Sequence, residues 1–147
     1  MNEGPLAGLD PGRSKCGLVL TDPERRQILE ALVLPPEQAG VTLERWLREG
    51  LVTLVLGNGT GSAAWRARLD PRLPVQLVEE GGSTLAARER YWQLEPARGW
   101  RRLLPRGLRL PPRDIDDVVA QLLLERHLQR PLQRHHCEWL SAAAAAP

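Results

Sequence analysis

The sequence predicts an α/β domain with a mixed sheet, in which three antiparallel strands come first and parallel strands alternating with helices follow. Three observations predict it. Residues 5–34 hold three short apolar runs separated by turn residues, the pattern of an antiparallel meander. Residues 51–56 (LVTLVL) are apolar without alternation, as in a central strand covered on both faces. Beyond them, helical and strand patterns alternate to residue 129.

The first strand ends at Asp10, where Pro11 and Gly12 signal a turn carrying Arg13 and Lys15. Residues 16–20 form the second strand and residues 21–24 a turn, and residues 26–34 fit a third strand, with a helix as the alternative. Pro35 and Pro36 stop it. Residues 37–49 have helical spacing, with Val41, Leu43, Trp46 and Leu47 on one side and Gly50 placed as the cap. The fourth strand, 51–56, leads into the glycine turn 57–62 (GNGTGS) and a short helix over 63–69 that Asp70-Pro71 breaks. Residues 73–78 make the fifth strand. Ser83 is placed to cap a helix running to about residue 95. Residues 96–113 are irregular and basic, and residues 114–129 form the last helix. Right-handed crossover makes the fourth strand parallel to the first. Ligands of such sheets gather at the carboxyl ends of the parallel strands, where Asp10, the glycine turn and Glu79-Glu80 all fall.

The acidic residues are the main functional signal. Asp10 ends strand one, Glu80 follows the last strand, and Asp114, Asp116 and Asp117 open the final helix. Carboxylates held together repel and need a proton or a cation. Hard divalent cations take oxygen ligands, and Mg²⁺ bridges carboxylates to phosphates. Two such ions about 4 Å apart can activate water and stabilise the leaving oxygen in phosphodiester cleavage. The same aspartates would also complement the helix dipole, and Glu79-Glu80 would serve equally as solvated turn charges.

The basic segment is the second signal. Residues 96–113 contain Arg98, Arg101, Arg102, Arg106, Arg109 and Arg113 and no acid, with Tyr91, Trp92 and Trp100 alongside. Arginine with aromatics suits phosphate contact and base stacking. A solvated loop has the same composition, but this one leads straight into Asp114–Asp117. The glycine turn would let a phosphate approach the next helix, although it lacks the Lys-Ser/Thr pair of a Walker loop and an ordinary strand-to-helix turn explains it as well. Asp10-Pro-Gly-Arg-Ser-Lys-Cys-Gly17 has the spacing of the phosphate hairpin of sugar kinases and actin-like ATPases, whose two large lobes exceed this chain. His127, His135, His136 and Cys137 fit no standard zinc spacing.

Composition sets limits. At 147 residues with 42% apolar and 26% charged content, one soluble domain is expected, and no run is apolar enough for a bilayer. The N-terminus lacks a basic flank and an apolar signal core, so a cytoplasmic protein with reduced Cys16 and Cys137 is expected. Residues 130–147 show no core pattern and are expected to be a partly disordered tail after a nuclease domain spanning 1–129.

With these residues in view, the chain resembles the YqgF family (also called RuvX), described as Holliday junction resolvases and pre-16S ribosomal RNA nucleases with a RuvC-like ribonuclease H fold. GLDPGRSKCGLVL resembles its opening Asp-x-Gly-Arg hairpin, LVTLVLGNG its central strand and glycine turn, LVEEGGSTLAARERYW its second motif, and IDDVVAQLLLERHL its closing helix. The resemblance implies a five-stranded ribonuclease H-like sheet. It implies a Mg²⁺- or Mn²⁺-dependent endonuclease with two metal ions, acting on precursor ribosomal RNA or branched DNA and leaving a 5′-phosphate. Carried over, Asp10, Glu80 and Asp116 are the catalytic and metal-binding acids, with Asp117 the competitor for the last place. Arg13, Lys15 and the arginines between Arg98 and Arg113 would hold the nucleic acid. Glu79 and Gly81 depart from the family's aspartate and arginine around Glu80, which bears on substrate choice. A catalytically silent nucleic-acid-binding module is the alternative. A symmetric junction would require a homodimer, which no sequence feature specifies.

Overall fold

The computed structural model describes residues 3–69, 71–134 and 140–141. The elements are β1 (Leu6–Asp10), β2 (Cys16–Thr21), β3 (Gln27–Leu34), α1 (Pro36–Arg48), β4 (Thr53–Gly57), α2 (Ser62–Leu69), β5 (Val75–Val78), α3 (Ser83–Leu94), α4 (Asp116–Leu128), β6 (Gln133–Arg134) and β7 (Leu140–Ser141). Two short 3-10 turns, Gly99–Leu103 and Arg106–Leu108, punctuate the arginine-rich segment.

The sheet runs β5-β4-β1-β2-β3-β6, with β7 also on β3. β1, β2 and β3 are antiparallel neighbours, while β4 and β5 run parallel to β1. Three antiparallel strands with two parallel strands added on the β1 side form the ribonuclease H-like arrangement. The expected strand count of five is corrected: β6 and β7 add to the free edge of β3. Each spans two residues, too short for any period to show in the sequence.

Alternation along the strands divides the core. Ala7, Leu9, Leu18, Leu20, Leu54 and Leu56 face α1 and α2, packing on Leu43, Trp46, Trp65 and Leu69. Leu6, Val19 and Val55 face the other way, onto Ala120, Leu123 and Leu124 of α4. Helix α3 packs outside α4 through Ala87 and Tyr91 against Val118 and Val119. Among the described residues no helix is long and apolar enough to cross a membrane.

The expectation for Ser83 is corrected: the N-cap of α3 is Gly82 at φ 71°, and no side chain caps the helix. The first residues of the tail join the fold. Leu132 is buried in the α4 core, and its neighbours meet a polar stripe on α4. Asp117, Gln121 and Glu125 are all buried, one turn apart on one face. Gln121 Nε2 donates to Leu132 O, the Leu132 N–H donates to Glu125 Oε2, and the Arg134 guanidinium donates to Gln121 Oε1 and Asp117 Oδ2. Arg90 of α3 closes the set with two bonds to Glu125. The buried charges are thus paired, as their desolvation demands. His135, His136 and Cys137 lie outside the described residues.

Candidate functional site

Asp10 is the last residue of β1 and sits opposite Gly17 of β2. On its other side, one step beyond the Leu9–Leu56 pair, β4 ends at Gly57. Both flanking glycines are filled by acidic residues from elsewhere in the chain. A Cβ at Gly17 would collide with the backbone carbonyl of Asp116, so the missing side chain lets the start of α4 rest on the sheet beside Asp10. A Cβ at Gly57 would collide with the carboxylate of Glu80, which lies across that strand end. Gly59 closes the cradle, because a Cβ there would meet the other Glu80 oxygen. Three segments distant in sequence therefore bring Asp10, Glu80 and Asp116 to one rim.

The turn carrying Glu80 is fastened from several sides. The Glu80 N–H donates to Asn58 Oδ1, Asn58 Nδ2 donates to Glu79 Oε2, and Arg126 Nη1 donates to Glu79 O. Glu80 Oε1 is buried and accepts no hydrogen bond from the described residues. Such an orphaned acceptor is costly without a partner. Burial, then the charges of Glu80 and Asp116, push the Asp10 carboxyl up to about 7. Burial, then the charge of Asp114, raises Asp116 above the ordinary carboxylate range, with opposition from Lys15.

This donor set suits a hard divalent cation. It offers carboxylate oxygens, excess negative charge and a buried oxygen lacking a partner. Among the described residues, however, no three His, Cys, Asp or Glu side chains stand close enough together to share one ion.

The remaining acids and bases divide by what they already hold. Both Asp117 oxygens accept guanidinium bonds, Oδ1 from Arg113 at 2.8 Å and Oδ2 from Arg134 at 2.7 Å. Asp117 was the competitor for the last ligand place, but its charge is already neutralised and its side chain sealed from solvent. Lys15 pairs with Asp114 at the rim. Arg13 is exposed on the turn after β1, and Arg98 and Arg102 are exposed in the arginine-rich segment. Arg101 lies over the Trp100 ring at 4.8 Å. Arg109 and Arg113 are spent internally: Arg109 donates to Leu104 O and Arg102 O, and Arg113 braces Asp117 and stacks on Tyr91. Only the backbone of Arg106 is described.

No protein-family model matches this chain, and no curated protein matches it in sequence. Solved structures do. The chain is similar to Thermus thermophilus RuvC, whose structure is a complex with a Holliday junction substrate, at 18% identity and TM-score 0.43, over 84% of this chain and 95% of that one. It is also similar to a ROK hexokinase from Thermus thermophilus at 18% identity and TM-score 0.29, over 88% of this chain and 34% of that one.

Sequence reasoning placed the glycine turn at this edge but missed Gly17, and it missed that Gly57 and Asn58 seat Glu80. The glycines carry no chemistry and act only by leaving room. The one available signal was position, since each lies on a strand or turn directly beside Asp10 or Glu80.

Proposed function

We propose that this protein is a metal-dependent endonuclease of the YqgF/RuvX kind that cleaves structured nucleic acid. The observation that carries the reading is the rim of Asp10, Glu80 and Asp116, built over Gly17, Gly57 and Gly59, with a buried Glu80 oxygen that has no partner among the described residues. Asp10, Glu80 and Asp116 would hold Mg²⁺ or Mn²⁺. A bound divalent ion would supply Lewis-acid polarisation of the phosphodiester and a more acidic water. Asp117, held by Arg113 and Arg134, positions the first turn of α4 and so the backbone of Asp116. Arg13, Arg98, Arg101 and Arg102 are available for phosphate contact, while Lys15 steadies Asp114. A cytoplasmic location is part of this reading. A homodimer is part of the reading only if the substrate is a symmetric junction.

The second reading, a binding module without catalysis, is favoured by the absence of a closed three-residue metal cluster among the described residues. One experiment separates the two. Purified protein is incubated with four-way DNA junctions and with precursor ribosomal RNA, with and without Mn²⁺. Metal-dependent cleavage of one substrate, lost in Asp10→Asn with binding retained, is the expected result. Binding without cleavage of either substrate leaves only the module. Cleavage that survives Asp10→Asn removes this site.

A further inference from the structure

Helix α3 and the arginine-rich segment enclose a cavity of about 630 Å³ that the proposed metal site does not use. That volume lies within the roughly 300–1,000 Å³ usual for sites that enclose a small molecule. Trp92 forms an aromatic wall, and Arg88, Glu89, Gln93 and Arg102 supply polar groups. The walls are held in place. Trp92 Nε1 donates to Arg109 O at 3.0 Å, and the Arg109 guanidinium donates to Leu104 O and Arg102 O. Among the described residues, none of the ion pairs involves Arg88, Glu89 or Arg102. The same segment turns large apolar side chains to solvent, with Trp100 63% and Leu103 86% exposed. Exposed apolar groups on a braced segment without acids mark a contact surface rather than a solvated loop.

We propose that this cavity takes one unpaired nucleotide, its base against Trp92 and its phosphate on Arg88 and Arg102. The proposal rests on the nucleic-acid reading above and narrows it, making an unstacked nucleotide part of what the protein recognises. Charge selects the occupant. Residues 96–113 carry arginines and no acid, so a second copy would set guanidinium against guanidinium, whereas a nucleotide brings a phosphate. An aromatic wall suits any base, because each has a π-face. Glu89 and Gln93 add an acceptor and an amide for the polar edge of a base, which an apolar peptide anchor would leave unsatisfied.

Gly107 provides the means of testing it. It lines the cavity, and a Cβ built there meets no atom within 4 Å, so Gly107→Trp is compatible with the fold and obstructs the space. Binding is measured in the Asp10→Asn background, where cleavage is not needed. The probes are a perfect duplex, the same duplex with one bulged 2-aminopurine nucleotide, and the same with a bulged abasic site, each made as DNA and as RNA. The base-bearing bulge is expected to bind about tenfold tighter than the other two, as one base–aromatic stack provides. Its fluorescence should change on binding, and the DNA and RNA arms show which polymer supplies the nucleotide. Gly107→Trp should remove the preference while leaving perfect-duplex affinity and the melting temperature unchanged. Equal binding of the abasic and base-bearing bulges overturns the proposal, as does a preference that survives Gly107→Trp. In both cases the nucleic-acid reading stands. Failure to bind any probe overturns both. Loss of a dimer on Gly107→Trp, seen by sedimentation, assigns the cavity to a second copy instead.

Discussion

Arg134 Nη1 lies 2.7 Å from Asp117 Oδ2, with both side chains sealed from water at 2% and 1% exposure. The pair ties β6 to the helix that carries Asp116. It also separates two adjacent aspartates, leaving Asp116 at the rim and Asp117 inside the fold.

Removing either member takes from the other, a buried charge, its 2.7 Å partner. Arg134→Met and Asp117→Ala are each expected to destabilise the protein by about 3–5 kcal/mol, measured by urea denaturation. The double variant Asp117→Leu/Arg134→Met should recover most of the loss, since both fully buried charges are removed and the Arg113 side chain, 25% exposed, can turn to water. Asp116→Asn should leave stability nearly unchanged and abolish cleavage. Equal stability losses for Asp116→Asn and Asp117→Ala would erase the distinction between them.

Asp10 is expected to lower stability in the metal-free protein. Its carboxyl is raised to about 7 in the fold against 3.8 in the free side chain. Between those values the folded state holds the proton more tightly than the unfolded state. The contribution of Asp10 is therefore full below about pH 4 and lost as pH rises through 7. In chelator, Asp10→Asn should melt a few degrees higher than wild type at pH 8, with no advantage at pH 4. Mg²⁺ should raise the wild-type melting temperature and leave that of Asp10→Asn much less affected.

The glycines of the rim should fail in different ways. A methyl group at Gly59 meets only the end of the Glu80 side chain, which can swing aside. Gly59→Ala should therefore fold normally, while Mn²⁺ affinity, followed by calorimetry, falls about 10–100-fold. A methyl group at Gly17 meets the backbone of Asp116, which cannot. Gly17→Ala should cost about 1–3 kcal/mol or more in stability before metal binding is considered.

Asp22 governs acid stability at the far end of the first strands. Burial raises its pKa, but the N–H groups of Gln27 and Arg26, both donating to its carboxylate, outweigh burial and hold it below the usual value. A depressed carboxylate contributes stability above pH 3.8 that is lost as pH falls through its folded value. Asp22→Ala should cost about 1–3 kcal/mol at pH 7. The gap to wild type should narrow below pH 4. An unchanged gap at pH 3 would mean that this carboxylate is not the titrating group.

Much of the fold was legible because its signals are local. The meander, the unbroken apolar run of β4 and the helical spacing of α1 and α4 each occupy one continuous stretch. The arginine-rich segment was equally visible, but the division of labour within it was not. Arg109 and Arg113 bind carbonyls and Asp117, while Arg98 and Arg102 face solvent, and nothing in their spacing separates the two kinds. The polar stripe of Asp117, Gln121 and Glu125 had a sequence signal in its four-residue period. The acidity of Asp117 beside Asp116 suggested a ligand instead.

By itself, the sequence determined the order of the strands, the acids that could meet at their ends and the basic segment beside them. Those follow from apolar periodicity and turn chemistry, which act over a few residues. Only the tertiary structure decided which acids are still available. The buried guanidinium of Arg134 takes Asp117, Gly17 admits the backbone of Asp116, and Gly57 admits the carboxylate of Glu80. The cost of burying a charge and the space left by a missing side chain depend on neighbours that are distant in the chain, so neither can be read along it.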